Sequence, residues 1–337
     1  MFTTRNLVKI TFNSLLGIIL VFIWLKFVNL EEIIVAISKV KFISLIPIVL
    51  FIFTAQILRS IRLKIFLAPV TKIKLSDLIF LNGVATMLNF LIPIRAGEVA
   101  KALYLSKNYE ISVKKALVWI FLDRFIDFLA VLVLVGPLLL FIPTKLPTNI
   151  IFITVGYSLL ITIILLLYLA VFQSSFFKKI VRFLSTFLIL NSIKIYFERI
   201  SNFFLESFTI LKRKPFELGL IFIVTILAYA ADSAIWYFTF LALGSSQEYL
   251  KMYLAQLLSA LTYLIPAAPG YVGSAEASGL LIFSGVFGVE PNLSSAMIVL
   301  FHVITAIFVI CFGIISVYFL KIDLGDILRK VTGKSDR

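Results

Sequence analysis

Cysteine, histidine and acidic residues are all scarce in this chain. Its 337 residues include one cysteine, Cys311, one histidine, His302, and 17 Asp and Glu against 31 Lys and Arg. A single cysteine excludes an intramolecular disulfide and any cysteine-based metal cluster. With one histidine and no ligand cluster, no metal and no cofactor are expected. Nucleotide motifs are missing as well. Gly333-Lys334-Ser335 has no glycine at the P-loop spacing before it, and neither G-x-S-x-G nor H-E-x-x-H occurs. The chain is therefore not expected to hydrolyse ATP by itself, and no catalytic residue is assigned.

What is present is apolar. Hydrophobic residues make up 61% of the chain, with 34 Phe, where a soluble domain holds roughly half. Many runs exceed the length of about 20 residues that marks a membrane span. The fold class expected is all-α, a polytopic helical membrane protein. Full spans are placed at 7–28, 42–66, 116–141, 149–172, 216–244 and 294–320. The first is too long for a signal-peptide core and is read as a retained anchor. Residues 173–215 mix Phe and Ile with Lys178, Lys179, Arg182, Lys194, Arg199, Lys212, Arg213 and Lys214, the pattern of interfacial amphipathic helices. The chain reads as a single transmembrane domain over 1–337, with a short tail at 321–337. The net charge of +14 points to anionic lipid headgroups at the cytoplasmic face, not to nucleic acid.

Two apolar regions, 76–105 and 250–288, are interrupted near their middles. The first interruption is LNFLIPIRAGEVAKA, residues 88–102; the second is LTYLIPAAPGYVG, residues 261–273. Aligned without gaps over 88–99 and 261–272, they match at six of twelve positions: Leu88/Leu261, Leu91/Leu264, Ile92/Ile265, Pro93/Pro266, Gly97/Gly270 and Val99/Val272. Pro93, Pro266 and Pro269 break helix, because proline lacks an N–H and disfavours helix at the residue before it. Each region then reads as a hairpin that returns to its own side. With the N-terminus cytoplasmic, that arrangement puts 25 of the 31 Lys and Arg on the cytoplasmic side. Lys26, Lys39, Lys41, Lys145 and Lys251 fall outside, and Arg124 lies within a span. The two breaks then approach the midplane from opposite faces, as in the inverted repeats of transporters. Both termini are expected in the cytoplasm of a cell-membrane protein.

The charges at and near the breaks are the candidate site. The helix that starts near Ala96 exposes N–H groups and a positive dipole end, with Arg95 beside it, a seat for an anion such as phosphate. Non-helical backbone at membrane depth is tolerated where it lines a wet cavity or is buried in protein. Asp123 and Asp127 share a helix face, and Arg124 can pair with Asp127. Ionisable residues inside spans face the bundle interior, so Glu98, Asp232 and Glu276 join them. A structural reading stands beside the functional one: Arg124 neutralises Asp123 or Asp127 and fixes packing, and Lys101 snorkels to the headgroups.

Together these motifs resemble the flippase-like family related to the transmembrane domain of lysylphosphatidylglycerol synthase (UPF0104-type integral membrane proteins). The matching residues are Asn89, Ile92, Pro93, Arg95, Ala96, Gly97, Glu98, Lys101 and Ala102; then Asp123, Arg124 and Asp127; then Ile265, Pro266, Pro269, Gly270, Gly273 and Glu276. The resemblance covers nearly the whole chain. It implies the translocating part alone, without the soluble synthase of the bifunctional bacterial relatives or the glycosyltransferase domain of some archaeal ones. Relatives often carry arginine in the final span where this chain has His302, which aligns loosely with Arg124. A histidine there can hold a neighbouring helix or couple transport to protons.

The function expected is translocation of a polar-headed phospholipid or lipid-linked sugar through a central polar cavity. The substrate-binding set is Arg95, Gly97, Glu98, Lys101, Arg124, Asp127, Gly270 and Glu276. Partners expected are the lipid substrate, and either further copies of the chain or a lipid or glycan synthase. Three alternatives stand: a membrane-embedded transferase using Asp123 and Asp127 as an acid–base pair, a small-solute carrier, and a non-catalytic assembly subunit for a synthase.

Overall fold

The structure, a computed structural model, describes residues 4–92, 96–145, 157–158, 161, 174–186, 194–195, 197, 201–202, 215–262 and 268–325. Among them lie eleven helices: α1 Thr4–Leu25, α2 Leu30–Ser38, α3 Ile46–Leu67, α4 Leu75–Leu91, α5 Ala96–Tyr109, α6 Val113–Phe141, α7 Ser174–Thr186, α8 Pro215–Ala242, α9 Tyr249–Thr262, α10 Ser274–Leu280 and α11 Pro291–Leu320. No strand occurs among the described residues. Four stretches are long and apolar enough to cross a bilayer: Phe42–Leu67, Val113–Phe141, Phe216–Ala242 and Pro291–Leu320. Along α11 the apolar side chains Val303, Ile307 and Ile314 are more than half exposed, which suits lipid and not water.

The first span ends at Leu25, earlier than its apolar composition suggests. Asn29 then caps α2, its side chain accepting from the Glu31 N–H at 3.0 Å. The sequence reading leaves this helix in a loop. The span at 149–172 lies almost entirely outside the described residues. Of the interfacial segment, the backbone of α7 is described. Phe176 and Phe183 lie on one face of it with Lys179 beside them, and Lys178 and Arg182 lie on the opposite face.

Both interrupted regions are hairpins. At 1.5 Å per residue α4 and α5 are about 25 and 21 Å long, each shorter than the roughly 30 Å hydrocarbon core. A Cβ at Gly97 would overlap the Ala85 carbonyl, so the two helices touch near the break. At their far ends, the Tyr109 hydroxyl donates to Asp77 at 2.5 Å. The chain therefore comes back to the side it left. In the second region α9 is followed by a 3-10 turn at Pro269–Tyr271, then α10, which runs on as a π-helix over Leu281–Val286. Met252 of α9 and Phe283 of the π-helix pack in one buried cluster. At the hairpin's end the Lys145 N–H donates to the Val286 carbonyl at 2.7 Å.

The two halves are arranged as an inverted repeat. α3 and α8 run antiparallel: Phe51 stacks on Phe238, Arg59 bonds Asp232, and Arg62 reaches Thr225 at 3.1 Å. As one residue number rises the other falls. The halves also exchange partners. α4 of the first packs on α11 of the second, and α9 of the second packs on α6 of the first. Arg59 and Asp232 are 173 residues apart, the same offset as Pro93 and Pro266. They are equivalent positions that touch one another, as residues on a two-fold axis must.

Candidate functional site

The site starts from four cations and four carboxylates, most of them deep in the helices. Asp232 lies ten residues before the end of α8, about 15 Å along its axis. Arg124 is the twelfth residue of α6, about 16 Å in. These depths place both near the middle of a bilayer. Unpaired charge at that depth is costly, and the described charges pair accordingly.

Arg62 is the hub. Its side chain is 1% exposed. Nε donates to Asp123 at 2.7 Å, and the two terminal nitrogens both donate to Asp127. Asp123 and Asp127 face the same way because four residues make about one helical turn. Arg59 makes a two-pronged bond to Asp232. On α5, Glu98 accepts from Arg124 at 2.9 and 3.1 Å and has the Lys101 ammonium 3.8 Å away. Arg124 also lies 3.6 Å from Asp127, which joins the clusters. Polar bonds extend the network to α4: Asn82 donates to Ser60 at 2.8 Å, and Gln56 to Thr86 at 3.4 Å.

Two expectations change here. Arg62 is the main partner of Asp123 and Asp127; the expected Arg124–Asp127 pair is present at 3.6 Å, while the hydrogen bonds of Arg124 go to Glu98. Lys101 does not snorkel, since it is 4% exposed. Arg59 and Arg62 are the residues that sequence reasoning missed. In LRSIRLKIF both fall inside the span 42–66, yet near enough to its end to be counted with the cytoplasmic charges. Helix α3 ends at Leu67, within a residue of that span, and the two side chains turn inward to aspartates. The signal was available in the charge balance: three intramembrane aspartates need more cations than Arg124.

The second half repeats the arrangement with different chemistry. Glu98 is the third residue of α5, and Glu276 is the third of α10. Glu98 and Arg124 are 26 residues apart, and so are Glu276 and His302. Like Arg124 in α6, His302 is the twelfth residue of its helix. Glu276 Oε1 meets His302 Nδ1 at 2.6 Å, and Oε2 accepts from the Gly273 N–H at 2.7 Å. His302 Nε2 meets the Gly270 carbonyl at 2.6 Å. The loose alignment of His302 with Arg124 thus has a structural counterpart: each half carries one glutamate–base pair.

The breaks themselves are partly self-capped. The Gly97 N–H donates to Asn89 Oδ1 at 2.8 Å, so one of the N–H groups expected to be open at the start of α5 is occupied. Gly270 has φ +68°, a conformation that suits glycine. Pro269 opens the 3-10 turn. Pro93, Arg95 and Pro266 lie outside the described residues.

The sequence profile of the lysylphosphatidylglycerol synthase TM region matches residues 10–313, which takes in both hairpins and every charge of the network. The chain belongs to this family. A relative described as a UPF0104 membrane protein, from Archaeoglobus fulgidus, is 33% identical over 107 residues, 32% of this chain and 32% of that protein. The matched stretch therefore spans about a third of the length of that curated relative. Membership in the lysylphosphatidylglycerol synthase TM region family, with the long apolar helices, makes the chain an integral, multi-pass membrane protein. Arg124 then takes on added interest. Its side chain is 44% exposed, and a guanidinium at membrane depth faces a polar crevice in preference to lipid.

Proposed function

We propose that this protein is a membrane lipid translocase that moves a polar-headed phospholipid or lipid-linked sugar across the cell membrane. The observation that carries the reading is the pair of equivalent glutamate–base contacts, one in each inverted half, approaching the midplane from opposite faces. Inverted repeats with broken helices are how transporters expose one site alternately to two sides. The described network balances its own charges. A headgroup bearing phosphate and an amine or hydroxyls can exchange with such a pair: the phosphate takes the exposed Arg124 guanidinium and the start of α5, which Arg95 directly precedes in the sequence. The released Glu98 takes the cationic or hydroxyl part. Gly97, Lys101 and Asp127 shape that half-site, and Gly270 and Glu276 the other. The acyl chains stay against the apolar exterior, so only the headgroup crosses through protein.

The transferase alternative uses Asp123 and Asp127 as an acid–base pair. Their bonds to buried Arg62 hold both as ion-pair partners, which favours translocation over proton transfer to a substrate. We place both termini in the cytoplasm by the excess of Lys and Arg there, with α7 lying against anionic headgroups.

The test is transbilayer movement of a panel of labelled lipids in liposomes holding the purified protein, with empty liposomes and correctly folded Arg95→Ala and Arg124→Ala variants alongside. One lipid class should move, and each variant should slow it roughly tenfold or more, the loss expected for one charge-assisted bond. If no lipid in a panel spanning zwitterionic, anionic, aminoacylated and sugar-bearing headgroups moves, the reading fails.

A further inference from the structure

We infer that Glu276 and His302 form a proton-binding site, and that the bound proton latches the second break. This deepens the translocase reading by giving its second half-site a ligand. The argument is an inventory of donors and acceptors. The Gly270 carbonyl can only accept, so His302 Nε2 must carry a hydrogen. Nδ1 lies 2.6 Å from Glu276 Oε1. A contact that short between a lone pair and a carboxylate oxygen is repulsive, so a proton lies between them. Glu276 Oε2 meanwhile accepts from the buried Gly273 N–H. Two placements of that proton satisfy every group: a carboxylic acid donating to Nδ1, or a ring that donates twice to a carboxylate that accepts twice. An imidazole is the stronger base, about 6.5 against about 4.3 for a glutamate, and the Gly273 N–H favours the charged carboxylate. The pair is therefore imidazolium–carboxylate and holds one dissociable proton.

No unpaired charge is brought to the pair by the described helices packed on α10 and the break: α1 is uncharged from Ile10 to Leu25, and on α9 Lys251 bonds Glu248 at 2.8 Å. Glu276 comes from α10 and the carbonyl from the break. From α4 the neighbour is the Phe90 ring, edge-on at 6.2 Å. The charges that α3 and α8 bring near the axis, Arg59 and Asp232, are bound to one another. Glu32 of α2, Glu290 and Lys321 lie toward the ends of α11, and Glu32 and Glu290 bond Asn292 there. The side chains of His302 and Glu276 are 14% and 11% exposed, enough for exchange with water. In the first half the same position is Arg124, which does not release its proton. One half is thus a fixed ion pair and the other a titratable one.

Release is a balanced step. The Nδ1–H bond breaks, the proton passes to water, and the pair changes from net neutral to one negative charge. A lone pair then faces a carboxylate, and the Glu276–His302 contact opens. α10 loses its side-chain tie to α11, and the break is left held by the single bond from Nε2 to Gly270. Uptake of a proton restores the latch.

His302 is the chain's one histidine, so its ring is observable without assignment. Protein labelled with 15N-histidine should show both ring nitrogens protonated at pH 7 and a single one-proton transition on raising the pH. In Glu276→Gln the amide oxygen keeps the Gly273 bond and the NH2 donates to Nδ1. The ring should therefore be singly protonated at pH 7, on Nε2. Hydrogen exchange over residues 268–276, corrected for the intrinsic effect of pH, should quicken severalfold through the wild-type transition. His302→Arg, which restores a fixed cation, should remove that acceleration. An Nδ1 signal that is unprotonated in the wild type at pH 7 overturns the proton site. Corrected exchange that does not change through the transition overturns the latch. Neither measurement requires transport, so a failed translocation assay leaves this inference standing and the reverse.

Discussion

Single residues decide how charge is stored in this membrane domain. Arg62 bonds two aspartates and a threonine while 1% exposed, and no water can replace it there. Arg62→Leu keeps the apolar stem but strands Asp123 and leaves Asp127 with the Arg124 contact at 3.6 Å. Breaking a buried pair on one side costs about 3–5 kcal/mol, so the variant should melt markedly earlier in detergent. Adding Asp123→Asn and Asp127→Asn removes the stranded charge and should recover most of the loss. No recovery would mean that Arg62 acts through packing and not charge. The sequence revealed the carboxylates readily, because an aspartate inside WIFLDRFIDFLAV has no other explanation than a partner. It hid the cation, because an arginine within two turns of the end of an apolar run reads as a cytoplasmic flank whether its side chain turns outward or inward. The pairing of His302 with Glu276 was half visible: the alignment to Arg124 was readable, but the partner was not, since several extra residues separate break and glutamate in the second half.

Elements carry the hairpin geometry, and small residues permit it. The break at residues 92–95 was legible from Pro93 and Gly97, and both half-helices follow the expected limits to within a few residues. The sequence did not reveal why Gly97 is glycine. Gly97 sits where a Cβ would strike the Ala85 carbonyl. Gly97→Ala must push α4 and α5 apart or shift their register, at a cost of about 1–3 kcal/mol by analogy with overpacked cores. Gly219, in α8, has nothing within 4 Å of an added Cβ. Gly219→Ala should instead raise the melting temperature slightly, by up to about 1 kcal/mol of helix preference. Equal effects of the two substitutions in a thermal-melt comparison would show that close approach is not what fixes Gly97. The π-helix after α10 had no sequence signal, because its apolar run Leu281–Val286 is equally compatible with ordinary helix.

At the scale of the whole molecule, two similar breaks and a charge count were enough to anticipate inversion. The antiparallel α3–α8 contact and the exchanged packing of α4 with α11 and α9 with α6 give that inversion its structural form. The Arg59–Asp232 contact could not be foreseen, because the two-fold offset between them becomes meaningful only once the axis is seen. Sidedness follows from the same framework. The end of α1, the end of α6, the end of the second hairpin and the start of α11 share one side, tied by Asn29 to Asn292 at 2.8 Å and Lys145 to Val286 at 2.7 Å. The mouth of the first hairpin and the end of α11 share the other, where Phe80 stacks on Phe319 at 3.9 Å. Lys and Arg distribution puts the second of these in the cytoplasm. With Cys311 replaced by serine, a cysteine at exposed Lys145 should react with an impermeant maleimide on intact cells. One at exposed Lys107 should react only after permeabilisation. If the first hairpin crossed the membrane fully while the N-terminus stayed inside, both results would reverse. The two glutamate–base pairs would then no longer approach the midplane from opposite faces, and the alternating arrangement on which translocation is argued would have no geometric basis.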